Sequence, residues 1–351
     1  MTKLYELLLI FAVLTIALLT NNKIASRTLN FKAALEKINA EIANLPLDQN
    51  PKELYQPVSY FMGLGGKRMR PLLTLLGCYL FEEDIEKAVK PSVAVELFHN
   101  FSLIHDDIMD KAPLRRGMPT IHEKWNANIA ILAGDITLIQ AYELLAFVDT
   151  DIRAEIYQLF NRTAKEVCEG QQIDMNFETQ SQVSIEDYIR MISLKTAVLL
   201  GFSMYLGARI GGASASESQK IYNAALNMGI SFQIKDDLLD VFGDANKVGK
   251  RVGGDIVSNK KTYLLLKAFE KANETQKAKL DELIGNSFIT ETEKVSEVIG
   301  IYNQLNIRQI SQDAIEIYFK KALQNLESID ANSERKSFLK NYFTDVLHRE
   351  S

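Results

Sequence analysis

The distribution of proline is the feature that most constrains the fold of this 351-residue chain. All seven prolines lie at or before residue 119, and the remaining two-thirds of the sequence have none. Proline removes a backbone donor and clashes in a helix interior, so a long stretch without it can form uninterrupted helices. Apolar residues recur at helical spacing in the same stretch. The pattern predicts an all-α fold built from long helices.

Composition is that of an ordinary globular protein and argues against some functions. Hydrophobic residues make up 47% and charged residues 24% of the sequence, enough for one large core or two medium ones. The net charge of −5 argues against nonspecific nucleic-acid binding, so no nucleic-acid partner is expected. Cys78 and Cys168 are far apart and support neither a disulfide framework nor a zinc site, which fits a reducing, cytoplasmic location.

Residues 1–22 form a separate apolar segment with three open interpretations. Leu7 to Leu19 is almost purely apolar, but a membrane-spanning helix needs about 20 apolar residues. Glu6 interrupts its start, and no small-residue cleavage site follows. A weak signal-anchor, a helix that contacts a membrane, and translated sequence ahead of the true start all remain open. The single helical domain is expected to comprise residues 28–351.

Local signals mark individual helices and one loop. Pro91 is expected to open a helix that runs to Met109 and is apolar nearly all round, which is typical of a buried central helix. Ser184, followed by Asp187 three residues later, predicts a capping box. The segment 243–261 holds several glycines and five basic residues, and it predicts a mobile basic loop.

Two short segments repeat one acidic pattern, DDIMD at 106–110 and DDLLD at 236–240. Residues four apart lie on one helix face, so the outer aspartates of each motif converge. Both motifs are embedded in apolar helix, where an unpaired carboxylate is costly and a cation is expected to compensate it. Magnesium suits such oxygen ligands, because it commonly binds one or two carboxylates together with substrate phosphates. A solvated acidic face is the alternative.

Basic clusters accompany the acidic motifs. GGKRMRP at 65–71 places two glycines beside three cations, and Arg115 and Arg116 follow the first motif. Glycine permits close backbone approach, and arginine presents a planar fork to phosphate oxygens. Each cluster alone could be surface charge, but alternating acidic and basic clusters indicate a diphosphate site. His99 lies two helical turns before Asp106 on nearly the same face.

These motifs, in this order, resemble the trans-isoprenyl diphosphate synthase (polyprenyl synthetase) family, most of all its geranylgeranyl diphosphate synthases. The resemblance implies one all-α helical bundle around a deep central cavity, with the two aspartate motifs facing each other at its mouth. It also implies a homodimer. The matching segments between residues 65 and 262 are GGKRMRP, FHNFSLIHDDIMD, RRGMPT, LAGD, GQQID, LKTA, FQIKDDLLD and GKRVGGDIVSNKKT.

The resemblance also implies a metal site. Magnesium would be bound between the two motifs, with three ions when a substrate diphosphate is present. The outer aspartates of the first motif and the first aspartate of the second would be ligands. Asp174 would support them. The metal-site residues implied are Asp106, Asp107, Asp110, Asp236 and Asp240.

Substrate-binding roles follow from the same resemblance. Arg115, Lys195 and Lys260 would hold the allylic diphosphate, and Thr196 and Gln233 would line the region where the allylic cation forms. Isopentenyl diphosphate would be held by Gly66, Lys67, Arg70, His99 and Arg116.

The loop and the remaining side chains receive simpler interpretations. Lys250, with its glycine-rich surroundings, would close over the bound diphosphates as a lid. His105 does not share the face of Asp106 closely and is interpreted as a packing residue. Trp125 is interpreted as core, because burial is the commoner use of an aromatic side chain.

The expected function is head-to-tail condensation of isopentenyl diphosphate with an allylic diphosphate, giving geranylgeranyl diphosphate. In the family, the helix turns before the first motif form the cavity floor. Here bulky Phe101 and small Ser102 lie five and four residues before Asp106, and Phe98 is one turn deeper. Farnesyl or longer-chain products are the alternatives. A terpene cyclase and a non-catalytic synthase subunit are more remote ones.

Overall fold

The computed structural model describes residues 29–243, 253–285 and 288–348. The apolar segment 1–22 and the lid residue Lys250 lie outside these ranges. Within them the secondary structure is helical apart from one short hairpin, which confirms the all-α prediction. The elements of the first half are α1 Phe31–Ala43, α2 Lys52–Gly63, α3 Met69–Phe81, α4 Glu86–Met109, β1 Leu114–Arg115, β2 Met118–Pro119, α5 Ile121–Lys124 and α6 Ala127–Leu145.

The second half continues with long helices. Part of the segment predicted to be a mobile loop is helical here, in α11. The elements are α7 Thr150–Thr179, α8 Ile185–Ile192, the π-helix Ser193–Ala197, α9 Val198–Ile210, α10 Ala215–Phe242, α11 Gly254–Val257, α12 Tyr263–Lys271, α13 Glu274–Gly285, α14 Glu291–Gln304, α15 Ile307–Glu327 and α16 Ser333–His348.

Helix α4 is central, as its apolar circumference predicts. It packs against α3, α6 and α9, while α10 packs against α9 and α15. Its start was predicted wrongly, because the helix begins at Glu86 and Pro91 lies inside it. Proline costs a helix one backbone hydrogen bond. Pro91 is buried, and burial of an apolar helix outweighs that loss because packing supplies most helical stability in proteins.

The capping box at the start of α8 is confirmed. The Ser184 hydroxyl accepts the Asp187 N–H at 3.0 Å, and the Asp187 carboxylate accepts the Ser184 N–H at 3.3 Å. These bonds satisfy donors that the first helical turn leaves free. They fix the start of a helical run that continues through the π-helix into α9.

Two helical stretches are long and apolar enough to cross a membrane by length and composition, Ala127–Leu145 and Ile185–Ile210. This is weak evidence, because core helices of soluble proteins meet the same criterion. The second stretch is 78% buried within the fold, as expected of a core helix. The first is 39% buried and presents an apolar face to solvent.

Candidate active site

Two adjoining cavities are lined by α3, α4 and α10, with α1 and α16 also lining the first and α7 the second. The basic cavity, lined by the GGKRMRP segment, His99 and Arg116, has a volume of about 650 Å³. The aspartate cavity, lined by Asp106 and the π-helix, has a volume of about 510 Å³. The two cavities meet along one shared wall. That wall consists of Met69, Arg70, His99, Phe232 and Asp236.

The glycine pair shapes the basic cavity by letting an arginine approach the backbone. Gly66 has a φ of 145°, and a Cβ placed on it would lie 2.9 Å from Arg116 Nη2. Arg116 itself has a left-handed φ of 54° at the tip of the hairpin, beside Gly117. Its guanidinium donates to the Gly65 carbonyl. A side chain at residue 66 would displace the guanidinium, so glycine is required there.

The three cations of the GGKRMRP segment have different environments. Arg68 is only 6% exposed and pairs with Glu96 at 2.7 Å, while also donating to the Met62 carbonyl. It therefore secures the base of the cavity. Lys67 and Arg70 line the cavity, as predicted for residues that hold isopentenyl diphosphate.

His99 and Arg70 form a buried hydrogen-bonded pair. Arg70 Nη1 lies 3.1 Å from His99 Nε2, and arginine can only donate, so the imidazole accepts at Nε2. Burial, together with the charge on Arg70, lowers the pKa of His99 well below its ordinary value. Burial also lowers the pKa of Arg70 to about 10, which leaves it charged near neutral pH. The imidazole is therefore neutral, and only the Arg70 guanidinium contributes positive charge to the cavity.

The first motif places Asp106 in the wall of the aspartate cavity. Lys195 Nζ lies 2.7 Å from Asp174 and 3.9 Å from Asp106. Burial raises the pKa of Asp106 to about 6, and the carboxylates of Asp110 and Asp174 add to the rise against the opposing charge of Lys195. The charges of Lys195 and Arg115 therefore do not offset burial and the neighbouring carboxylates, and a further cation is favoured.

The π-helix allows two consecutive residues, Lys195 and Thr196, to line the same cavity. A π-helix widens the turn locally, and such bulges are frequent at functional sites. Gly170 of α7 makes room for it, because a Cβ there would lie 2.3 Å from the Lys195 backbone nitrogen. The close contact of α7 and the π-helix thus depends on a glycine that the sequence analysis assigned no role.

A chain of hydrogen bonds connects the π-helix to the second motif. The Thr196 hydroxyl donates to Gln233 Oε1 at 3.2 Å, and Gln233 Nε2 donates to Asp237 at 3.3 Å. The Tyr188 hydroxyl and the Tyr263 N–H also donate to Asp237. Burial raises the pKa of Asp237 to about 6. Asp237 therefore orients Gln233, which faces the aspartate cavity.

Asp107 differs from the outer aspartates of its motif. It is 1% exposed and accepts hydrogen bonds from Arg115, with Arg115 Nε at 3.0 Å. Arg115 in turn lines the aspartate cavity. The structure therefore places Asp107 behind Arg115. Asp110, in contrast, lies at the exposed end of α4.

The last aspartate of the second motif contacts the segment that carries Lys260. The Asp240 carboxylate accepts the Asp255 N–H at 2.9 Å, and its carbonyl accepts the Gly253 N–H at 2.7 Å. Lys260 Nζ lies 3.7 Å from the Asp255 carboxylate. Burial opposes protonation of Lys260, but Asp255 and nearby carboxylates raise its pKa overall. Neither cavity is lined by Lys260, so its predicted substrate contact stays a prediction.

Magnesium fits the residues at the mouth of the aspartate cavity. Both motifs lie at or near the carboxyl ends of helices, where the helix dipole adds negative charge to that of the aspartates. Within residues 29–243, 253–285 and 288–348, no three His, Cys, Asp or Glu side chains form a cluster that could hold a metal ion. Oxygens of a substrate diphosphate would have to complete the coordination, as is common for magnesium.

The predicted cavity floor is partly where expected. Phe101 and Ser102 line the aspartate cavity, although helix geometry alone does not direct Phe101 there. Phe98 is fully buried and is not part of the lining. Its ring lies 5.6 Å from that of Phe101 and 5.2 Å from that of Phe160. Phe98 therefore supports Phe101 from behind.

Sequence analysis missed Gly170, Tyr188 and Asp255. Gly170 lies in the GQQID segment, so its neighbourhood was noticed but its contact was not. Nothing in the sequence links Tyr188 to Asp237, 49 residues away. Asp255 lies in the segment predicted to be a loop.

Comparisons with known proteins identify the family of this chain. A model of the polyprenyl synthetase family matches residues 51–302. The chain is 37% identical to a geranylgeranyl pyrophosphate synthase of Geoglobus acetivorans over 85% of this chain and 92% of the relative. It is also 37% identical to a geranylgeranyl diphosphate synthase of Saccharolobus solfataricus, over 88% and 93%. A solved geranylgeranyl pyrophosphate synthase structure superposes with a TM-score of 0.87 at 42% identity, covering 92% of this chain and all of that one. The chain therefore belongs to the polyprenyl synthetase family of prenyltransferases.

Proposed function

We propose that the protein condenses isopentenyl diphosphate with an allylic diphosphate, head to tail, to give geranylgeranyl diphosphate. The observation that carries this proposal is the pair of adjoining cavities. One is lined by cations around Gly66, and the other joins two aspartate motifs to an apolar floor. Two diphosphates can be held in them side by side, with their hydrocarbon parts meeting near Met69 and Phe232.

The reaction begins with cleavage of the bond between C1 of the allylic substrate and its diphosphate oxygen. The oxygen keeps the electron pair and leaves as diphosphate, and an allylic cation remains. The double bond of isopentenyl diphosphate supplies the electrons for a new bond between its C4 and that C1. Loss of a proton from its C2 then forms the new double bond. The departing diphosphate takes this proton, so no protein base is assigned.

The residues of the aspartate cavity favour this ionisation. Bound magnesium would neutralise charge on the departing diphosphate. Arg115 and Lys195 add fixed positive charge on the same side, and their orientation is set in advance by Asp107 and Asp174. Thr196 lines this cavity. Its oxygens would stabilise the allylic cation, and the apolar wall would exclude water that could capture it. Lys250 and Lys260 remain proposed contacts to the allylic diphosphate.

Product length is proposed from the position of Phe101. Its ring lines the aspartate cavity and is supported by Phe98. A chain growing away from the first motif would meet this aromatic floor. A floor nearer the mouth of the cavity would give farnesyl diphosphate, and a floor farther from the mouth would give longer products. Farnesyl diphosphate and longer products are therefore the second candidates for the same chemistry.

We further propose that the protein works as a homodimer in the cytoplasm, with residues 1–22 left as a region of potential membrane contact. The dimer proposal is supported by α6, which exposes Ile131, Leu132 and Ile139 to 43%, 56% and 53%. These residues recur at helical spacing on one side of the helix. A second copy covering this face would bury them, as apolar patches on soluble proteins usually require.

The test uses the purified full chain with radiolabelled isopentenyl diphosphate and, separately, dimethylallyl, geranyl or farnesyl diphosphate. Magnesium is supplied or chelated, and products are dephosphorylated and separated by chain length. We expect magnesium-dependent incorporation that ends mainly at the twenty-carbon alcohol. A fifteen-carbon end point, or a longer one, would keep the chemistry and overturn the proposed product.

Absence of incorporation by folded protein with every starter would overturn the proposed function itself. Two further measurements then separate the remaining alternatives. Conversion of geranylgeranyl diphosphate alone into a cyclic hydrocarbon would indicate a terpene cyclase. Incorporation that begins only when a second synthase chain is added would indicate a subunit role.

A further inference from the structure

The contact between α4 and α6 beside the cavity floor is unusually close. A Cβ placed on Gly134 of α6 would lie 2.2 Å from His105 Nε2 and 2.4 Å from His105 Cδ2. The imidazole therefore occupies the space that any other residue at 134 would fill. The His105 Nε2–H donates to the Ile131 carbonyl at 3.1 Å, and Asp135 Oδ1 lies 3.7 Å away. Three contacts on α6 thus fix one side chain of α4.

The other side of the imidazole lines the aspartate cavity and contacts Phe101 of the cavity floor. The Phe101 ring lies 4.8 Å from the His105 ring, edge to face at 65°. The two residues are four apart on α4, so they are neighbours on one helix face. Phe98 contacts Phe101 from the opposite direction at 5.6 Å. Phe101 is therefore held between a buried phenylalanine and a histidine whose position depends on α6.

We propose that His105, seated against Gly134, is a positioning residue that holds Phe101 as the floor of the aspartate cavity and so limits product length. The inference rests on the proposed function, because product length has meaning only for a synthase. Without the imidazole, the Phe101 ring can turn toward α6 and deepen the cavity. A side chain at residue 134 instead pushes the imidazole toward Phe101 and into the cavity, because about 1 Å or more is needed to restore ordinary contact.

The test measures chain length and total incorporation separately in single and double variants of the full chain. His105→Ala is expected to raise the ratio of longer products to twenty-carbon product about tenfold or more, with total incorporation within about threefold of wild type. His105→Gln retains a donor for the Ile131 carbonyl and most of the bulk, so it is expected to restore the wild-type distribution. Gly134→Ala is expected to shift products in the opposite direction, toward shorter chains.

Double variants show whether the residues act through one another. In the His105→Ala background, Gly134→Ala is expected to have no further effect on length, because no ring remains to be displaced. Phe101→Ala is expected to lengthen products by itself, and adding His105→Ala is expected to change nothing more.

The outcomes separate this inference from the proposed function. An unchanged length distribution in His105→Ala, with active wild-type protein, overturns the inference and leaves the function standing. Additive lengthening by His105→Ala and Phe101→Ala also overturns it, because the histidine would then act independently of the floor. Inactive wild-type protein overturns the function and the inference together. Should Gly134→Ala not fold, the His105 and Phe101 variants decide the matter alone.

Discussion

The first aspartate motif ends α4 and the second lies near the end of α10, and their carboxylates are satisfied in different ways. The middle aspartate of the first, Asp107, is held by a cation, Arg115. The middle aspartate of the second, Asp237, is held by neutral donors, including the Tyr188 hydroxyl and Gln233. In each motif the middle carboxylate is buried, and it orients a side chain that lines the aspartate cavity.

The last aspartates of the two motifs, Asp110 and Asp240, also differ in their surroundings. Asp110 is exposed at the end of α4, beside Asp106, whose pKa it raises. Asp240 accepts a backbone N–H from Asp255 and so attaches the segment that carries Lys260. The second motif therefore secures a stretch of chain, which the first does not through its last aspartate, and cation binding by the first motif stays a prediction. Identical spacing places carboxylates on a helix face, but the surroundings decide what each one does.

The largest effect is expected from the first aspartate of either motif. Asp106→Asn and Asp236→Asn should each lower kcat by about 10²- to 10³-fold, because each removes a charge that acts on the departing diphosphate through magnesium. Steady-state kinetics at saturating magnesium will measure this. Thermal unfolding serves as the control for folding. Near-normal turnover in either variant would contradict the symmetric role assigned to these two residues.

The π-helix lies between the two motifs, so moving it should affect both. Gly170→Ala places a Cβ 2.3 Å from the Lys195 nitrogen, and displacing reactive groups by about 1 Å can cost about 10²-fold in rate. Gly300→Ala is the matched control, because that glycine is also helical and has no atom within 4 Å of an added Cβ. Equal activity of the two variants would show that the close contact is unimportant.

The middle aspartates should differ in stability. Asp107→Asn leaves the partly buried Arg115 without its charge partner and should lower the free energy of unfolding by about 1–3 kcal/mol. Asp237→Asn should cost less. Its hydrogen-bond donors are neutral, a turned Gln233 amide can still bond to it, and the one positive charge that acts on it, Lys260, also interacts with Asp255. Urea unfolding of both variants tests this. A larger loss for Asp237→Asn would reverse the comparison.

A smaller effect is expected where the second motif attaches the Lys260 segment. Asp240→Ala removes the acceptor of the Asp255 N–H and should lower kcat/KM about tenfold, since a hydrogen bond to a charged group contributes about 1.5 kcal/mol. The loss should fall on the KM for the allylic substrate, with the KM for isopentenyl diphosphate unchanged. If the magnesium requirement rises as much as in Asp236→Asn, Asp240 acts instead as a metal ligand.

The smallest effect on stability is expected for the ion pair of Glu155 and Arg209, which is remote from the cavities and serves as a baseline. Glu155 accepts hydrogen bonds from Arg209 at 2.7 and 3.0 Å, and these lower the pKa of Glu155. Glu155→Gln should reduce the free energy of unfolding by about 1 kcal/mol or less, because the pair is partly exposed. Because the folded-state pKa of Glu155 is lowered, the stabilisation is fully present above the ordinary glutamate pKa. The difference in stability between wild type and variant should shrink below that value and vanish as the pH falls through the lowered pKa. Turnover should be unaffected.

The sequence was most informative where interactions are local or where residue type sets the chemistry. The capping box at Ser184 closes within four residues, so its pattern could be recognised directly. The cations of the GGKRMRP segment line the basic cavity. Their binding of phosphate, and the binding of magnesium by the outer aspartates, stay predictions from residue type. Pro91 was misjudged because burial, which a local rule does not include, outweighed its cost inside α4.

By itself the sequence determined the helical class, the positions of the two motifs and the residue types of a diphosphate site, since periodicity and spacing follow from helix geometry. Only the tertiary structure decided that the Asp107 carboxylate pairs with a cation and that the Asp237 carboxylate accepts hydrogen bonds from neutral donors. Asp237 meets Tyr188 across 49 residues, and Gly134 meets His105 across a helix pair. Such contacts depend on how helices pack, because burial and hydrogen bonding act through space and not along the chain.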